Sequence, residues 1–166
     1  MGEKKILIAF YSRTGNVRKV AQVMAEAATS ADTAATVDVE EIIDKKDRSG
    51  ALGAVGGGRD AMLKRAADIE EPKHDPSGYD VVIIGTPVWA WTMAPAVRAY
   101  ISRQKGRLPS VAFFAIAASS GADKTVERMT ELAGKEPRAT LALTRGSGLG
   151  DEILEHARKF AVGLIA

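Results

Sequence analysis

The sequence predicts a doubly wound α/β fold: a three-layer, five-stranded parallel sheet of order 2-1-3-4-5 with helices on both faces. Apolar runs alternate with amphipathic stretches five times along 166 residues, the pattern of repeated βα units. Residues 81–85 and 111–116 are apolar at nearly every position, as strands covered on both faces must be. No internal repeat or linker interrupts the order, so residues 1–166 form a single domain of ordinary core-forming size.

The elements follow in sequence. Ile6, Leu7, Ile8, Ala9 and Phe10 mark a first strand over 4–11. Val17, Val20, Ala21, Val23, Met24, Ala27 and Ala28 then recur at helical spacing, predicting a helix over 16–29. A second strand is expected at 36–43, followed by a glycine-rich patch at 49–58 and a helix at 59–68. The patch reads as a flexible surface connection rather than a flap over a ligand. The third strand, 80–86, leads to a helix at 94–103 with Pro95 suited to its first turn. The fourth strand (110–117) precedes a helix at 123–134, and the fifth (139–144) precedes one at 151–164. Asp151 and Glu152 open that last helix where carboxylates complement its dipole.

Composition excludes several functions. With 23 basic and 21 acidic residues the net charge is +2, far from a nucleic-acid footprint. Arg98, Arg103, Lys105 and Arg107 cluster at a predicted helix end, where cations match the dipole. The absence of cysteine removes disulfides, thiolate metal sites and cysteine nucleophiles. Only about six apolar residues follow Met1, Gly2, Glu3, Lys4 and Lys5, too few for a signal-peptide core. No stretch approaches the roughly 20 apolar residues of a membrane helix. A cytoplasmic location without nucleic-acid or membrane partners is expected.

In such a sheet, ligands bind at the carboxyl ends of the strands where the winding reverses, here between strands one and three. The loop after strand one holds Ser12, Arg13, Thr14, Gly15, Asn16 and Val17. Hydroxyls, an amide and a glycine at a helix N-terminus form a phosphate site, since the first-turn N–H groups are unpaired and the dipole is positive there. Gly15 removes the Cβ that would keep an anion from the backbone. A simple helix cap needs fewer such residues. The loop after strand three carries both tryptophans, in the run Pro87, Val88, Trp89, Ala90, Trp91. An indole on a rigid loop beside a phosphate turn suggests stacking on a flat ring system, the other indole packing into the core. The loop after strand four, Ala118, Ser119, Ser120 and Gly121, is small and offers backbone groups to a heterocycle edge.

Together these loops resemble the flavodoxin-like family of FMN proteins, the resemblance covering nearly the whole chain in element order. The family's phosphate loop reads Thr/Ser-x-Thr-Gly-x-Thr/Ser; Ser12, Thr14, Gly15 and Asn16 match it, while Val17 lacks the final hydroxyl. That loss corresponds to one hydrogen bond to a charged group, about 1.5–3 kcal/mol. Trp89 holds the position of the family's ring-stacking aromatic. The resemblance implies a tightly, non-covalently held FMN. Its phosphate is expected on residues 12–17, its ring against residues 87–91 and its other edge along residues 118–121. Ala90 stands where carrier flavodoxins place a permissive residue, and alanine resists positive φ. The acidic surface and second aromatic of those carriers are also missing. The implied role is electron transfer, as a reductase taking hydride from NAD(P)H for a quinone or other small acceptor. The alternative is a one-electron carrier between partner redox proteins. Either a monomer or a homodimer fits.

Other readings fall away. Gly146, Gly148 and Gly150 imitate a dinucleotide fingerprint, but no further strand follows to supply its ribose-binding acid. No P-loop, no G-x-S-x-G elbow and no acidic receiver-type cluster occurs. His74 and His156 lack matched ligand spacing for a metal, and no acid or base is assigned a catalytic role.

Overall fold

The computed structural model describes residues 2–166. Its parallel sheet has the order β2-β1-β3-β5-β6, formed by β1 (Lys5–Phe10), β2 (Thr36–Glu41), β3 (Val81–Trp89), β5 (Ser110–Ala117) and β6 (Thr140–Thr144). In sequence terms this is the expected 2-1-3-4-5, with one addition: a two-residue β4 (Thr92–Met93) returning antiparallel onto the end of β3. Ile6 to Phe10 are buried between partners on both sides, Leu7 facing Asp38 and Val82 in the ladder. β-branched and large apolar side chains fill such doubly covered strands because both faces leave water.

Two cores result. On one face α1 (Asn16–Ala31) and α5 (Asp151–Ile165) bury Val17, Val20, Met24, Ala157 and Ala161 against Ile8, Ile83 and Phe114. On the other, α3 (Pro95–Gln104) and α4 (Ala122–Ala133) cover Leu7, Val82, Ile84 and Phe113. Gly85 is demanded by this packing. A Cβ there would stand 2.0 Å from the Phe114 ring.

The helix predicted at 59–68 is corrected: α2 runs Gly50–Met62, through the glycine-rich patch read as a flexible connection. Residues 63–68 lie beyond it, Lys64 taking φ +55. The cause is tertiary. A Cβ on Gly53 would lie 2.1 Å from the Arg48 backbone, and one on Gly57 2.6 Å from the Trp89 ring. Glycines four apart form one helix face, and that face is pressed onto the protein so closely that no side chain fits. Packing overrides the low helix propensity of glycine.

The chain's three tyrosines all resist ionisation. Burial, then the nearby Asp44 charge, pushes Tyr11 up to about 12. Burial and a hydrogen bond donated to Asp38 (2.6 Å) raise Tyr79, and burial with the Glu40 charge raises Tyr100. The unfolded phenols titrate near 10, so this stabilisation is complete below that pH and is lost as pH rises through 10 towards 12. Tyrosinate absorbance is therefore expected to stay low in the folded protein at about pH 10, where free phenols are half ionised. Half-ionisation of the native protein at that pH would refute it.

Candidate functional site

The first loop is built around Gly15, which sits at φ +98 as the N-cap of α1. The Gly15 N–H donates to Ser12 Oγ at 3.1 Å, and the Asn16 side-chain amide donates to Thr14 Oγ1 at 3.4 Å. No side chain caps α1 and its first turn holds no acidic residue. The leading amides therefore meet an anion without competition. Val17 is buried in the α1 core, so it can present only its backbone to this turn.

The second wall is a hairpin. Val88 pairs with Met93 and Trp89 with Thr92, leaving Ala90 and Trp91 as its two-residue turn. Both have positive φ, +49 and +59, as two-residue hairpin turns with right-handed strand twist require. Ala90 thus occupies the backbone region alanine was expected to resist, because strand pairing over-determines it at a strain of about 1 kcal/mol or more. Buried Thr86 fastens the hairpin base, accepting from Ala94 N–H at 3.0 Å and donating to Pro87 O at 2.8 Å. The two indoles diverge. Trp89 is half-buried, edge-on to Tyr11 at 5.5 Å and 89°, with Gly57 against its ring. Trp91 is 62% exposed and leans on Gly121, where a Cβ would be 2.7 Å from its Cδ1.

The third wall, α2, is latched to the first loop. Arg13 donates through Nε to Arg48 O (2.7 Å) and through Nη2 to Gly50 O (2.8 Å). Arg48 is itself buried, its guanidinium ion-paired to Asp44 (2.6 Å) and Asp60 (2.9 Å). Its hydrogen bond holds the Asp60 carboxyl below the ordinary range.

Between these walls lies a cleft of about 350 Å³. Ser12, Arg13, Thr14, Asn16 and Val17 line it from the first loop, Pro87, Val88 and Trp89 from the hairpin, and Ala118 from the loop after β5. Ala54 and Gly58 of α2, Ile116 and Arg145 complete it. Gly15, Ala90, Trp91, Ser119, Ser120 and Gly121 stand outside this lining; Ser119 and Ser120 face solvent. The four added residues were not singled out from sequence. Arg145 follows the last strand, so the carboxyl-end rule points to it once applied to that strand too. The fourfold spacing of Gly53 with Gly57 and of Ala54 with Gly58 was the signal for a close-packed helix. The lining holds no carboxylate and two guanidinium groups, so its potential favours anions. A polar, cationic mouth with a single flat apolar wall suits a phosphorylated planar heterocycle.

The flavodoxin family model matches residues 5–147. The fold is shared with a flavoprotein from Lactobacillus acidophilus determined in complex with FMN, at 22% identity and TM-score 0.68, covering 83% of this chain and 92% of that one. A protein from Bacteroides eggerthii aligns at 19% identity and TM-score 0.74 over 98% of both chains. A flavodoxin, WrbA-like protein from Agrobacterium tumefaciens aligns at 17% identity and TM-score 0.64, over 98% of this chain and 96% of that one.

Proposed function

Since the chain belongs to the flavodoxin family, we propose that its cleft binds FMN and that the protein is an electron-transfer flavoprotein, an NAD(P)H-dependent reductase of quinones or other small acceptors. The observation that carries the reading is one cleft joining the uncapped mouth of α1 to the Trp89 ring. FMN, when bound, takes up a hydride and hands its electrons on. The chain's own part is placement and electrostatics. The α1 amides with Ser12, Thr14 and Asn16 hold the phosphate dianion, in a turn that Gly15 closes at φ +98. Trp89, packed against Tyr11 and Gly57, gives the ring a flat apolar wall. Arg13 and Arg145 line the cleft without an opposing carboxylate, so added negative charge on the ring is favoured. That electrostatic bias supports two-electron chemistry. With Ser119 and Ser120 exposed and Trp91 turned to Gly121, no aromatic closes the side opposite Trp89, which leaves room for a small substrate.

A second reading has its own observation. Leu52, Val55 and Trp91 are exposed at 89%, 70% and 62% on the elements that wall the cleft, a surface that would suit a partner redox protein and thus a one-electron carrier. Two measurements separate the readings. Adding protein to micromolar FMN is expected to quench its fluorescence saturably, and absence of quenching overturns the whole assignment. The FMN-loaded protein is then expected to oxidise NADPH with menadione over many turnovers. Saturable FMN binding without such turnover favours the carrier.

A further inference from the structure

A second pocket lies away from the flavin cleft, at the edge strand β2. It has a volume of about 220 Å³ and sits between the end of β2, the segment 70–74 and Tyr100 of α3. That is far more than the ~10–15 Å³ that holds one water. Three polar atoms of its lining have no hydrogen-bonding protein partner among the described residues: Glu40 Oε2, His74 Nδ1 and the Tyr100 hydroxyl. Glu40 is 6% exposed and Tyr100 fully buried. Folds rarely leave such groups unused. They do not satisfy one another well: His74 Nδ1 stands 3.5 Å from Glu40 Oε2, longer than a formed hydrogen bond. Glu40 is held by its other oxygen, which accepts from the Lys73 N–H.

The chemistry of the pocket selects a cation. Glu41 and Glu71 of the lining are matched by Arg18 and Arg103, which leaves the Glu40 and Glu70 carboxylates against Lys73. Glu40 Oε2, the Tyr100 hydroxyl oxygen and His74 Nδ1 are three unpartnered polar atoms, as many as an ammonium has donors. No trio of metal-ligating side chains occurs among the described residues, so the donor set suits an organic cation. Val39, Ile43 and Pro72 supply apolar wall for a short stem.

We propose that this pocket binds a small primary amine, its ammonium held by Glu40, His74 and Tyr100 and its alkyl stem against Val39 and Ile43. The reading is independent of the flavin assignment. The test is an amide NMR titration of the full chain, loaded with FMN, using n-butylamine, with butyrate as the opposite-charge control. Saturable shifts are expected at Glu40, Lys73 and His74 with the amine and none with butyrate. Glu40→Gln, which keeps an acceptor for Lys73, should weaken amine binding at least about tenfold, the loss of a charge-assisted bond. Tyr100→Phe should weaken it severalfold, and both variants should bind FMN as the parent does. No saturable shift, equal shifts with butyrate, or undiminished binding in both variants overturns the proposal. Failure here leaves FMN quenching untouched, so the two assignments stand or fall separately.

Discussion

Replacing Arg48 with methionine is expected to cost about 3–5 kcal/mol of folding stability, the range for removing one partner of a buried ion pair. The Arg48 side chain is 4% exposed and that of Asp44 3%, so the substitution leaves a carboxylate desolvated with no cation against it. Asp60 is less affected, because Lys46 and Arg65 lie 3.8 and 3.5 Å away. Methionine refills much of the volume, so the loss is electrostatic rather than a cavity effect. Against a typical total of about 5–15 kcal/mol this is large. The effect also reaches the cofactor cleft. Arg13 reads the backbone carbonyls of Arg48 and Gly50, and that link loses its anchor when residues 44–60 loosen, so FMN affinity should fall with stability. Urea unfolding of parent and variant checks the first part and FMN fluorescence the second. A stability change under about 1 kcal/mol would mean that α2 is held by something other than this charge triad.

The parts legible in the sequence were those whose signal is local. Ile6 to Phe10 and the run 81–85 announce buried strands because each residue loses water on both faces, whatever its neighbours are. The turn from Ser12 to Asn16 is equally local: its chemistry lies in five consecutive residues. What escaped depends on how separate segments pack together in space. Gly53 and Gly57 look like punctuation until Arg48 and Trp89 are seen beneath them. Arg48 looks like one more surface charge until Asp60, twelve residues on, closes its pair. The β4 return is two residues long, too short for any periodicity to reveal, yet it sets the φ of Ala90 and Trp91 and turns the two indoles apart. Glu40, His74 and Tyr100 likewise come from β2, the segment 70–74 and α3, and nothing within any one of them marks the other two.

A side chain at Gly57 should damage the cofactor site more than any other single change in α2. An alanine Cβ would fall 2.6, 3.0 and 3.2 Å from Cζ3, Cε3 and Cη2 of Trp89. The indole has little room to retreat, because the ring of buried Tyr11 packs against it at 5.5 Å between centroids. Either α2 lifts, which strains the Arg13 and Arg48 contacts, or the indole swings into the cleft that Ala54, Gly58 and Trp89 share. Both routes reduce FMN binding. For Gly57→Val the expected result is at least about tenfold weaker FMN affinity together with about 1–3 kcal/mol lost to overpacking. The adjacent Gly56 is the control. Its nearest neighbour is the end of a flexible lysine, Lys46 Nζ at 4.0 Å, so Gly56→Ala should stabilise α2 by about 0.5–1 kcal/mol through helix propensity alone. FMN affinity should be unchanged in that variant. Melting temperature and FMN quenching, measured on both variants, separate a contact effect from a general effect of removing glycine. If Gly57→Val binds FMN as the parent does, Trp89 is not the wall on which the flavin rests. If Gly56→Ala instead loses stability, the segment 50–62 is not the helix that brings Gly57 to that wall.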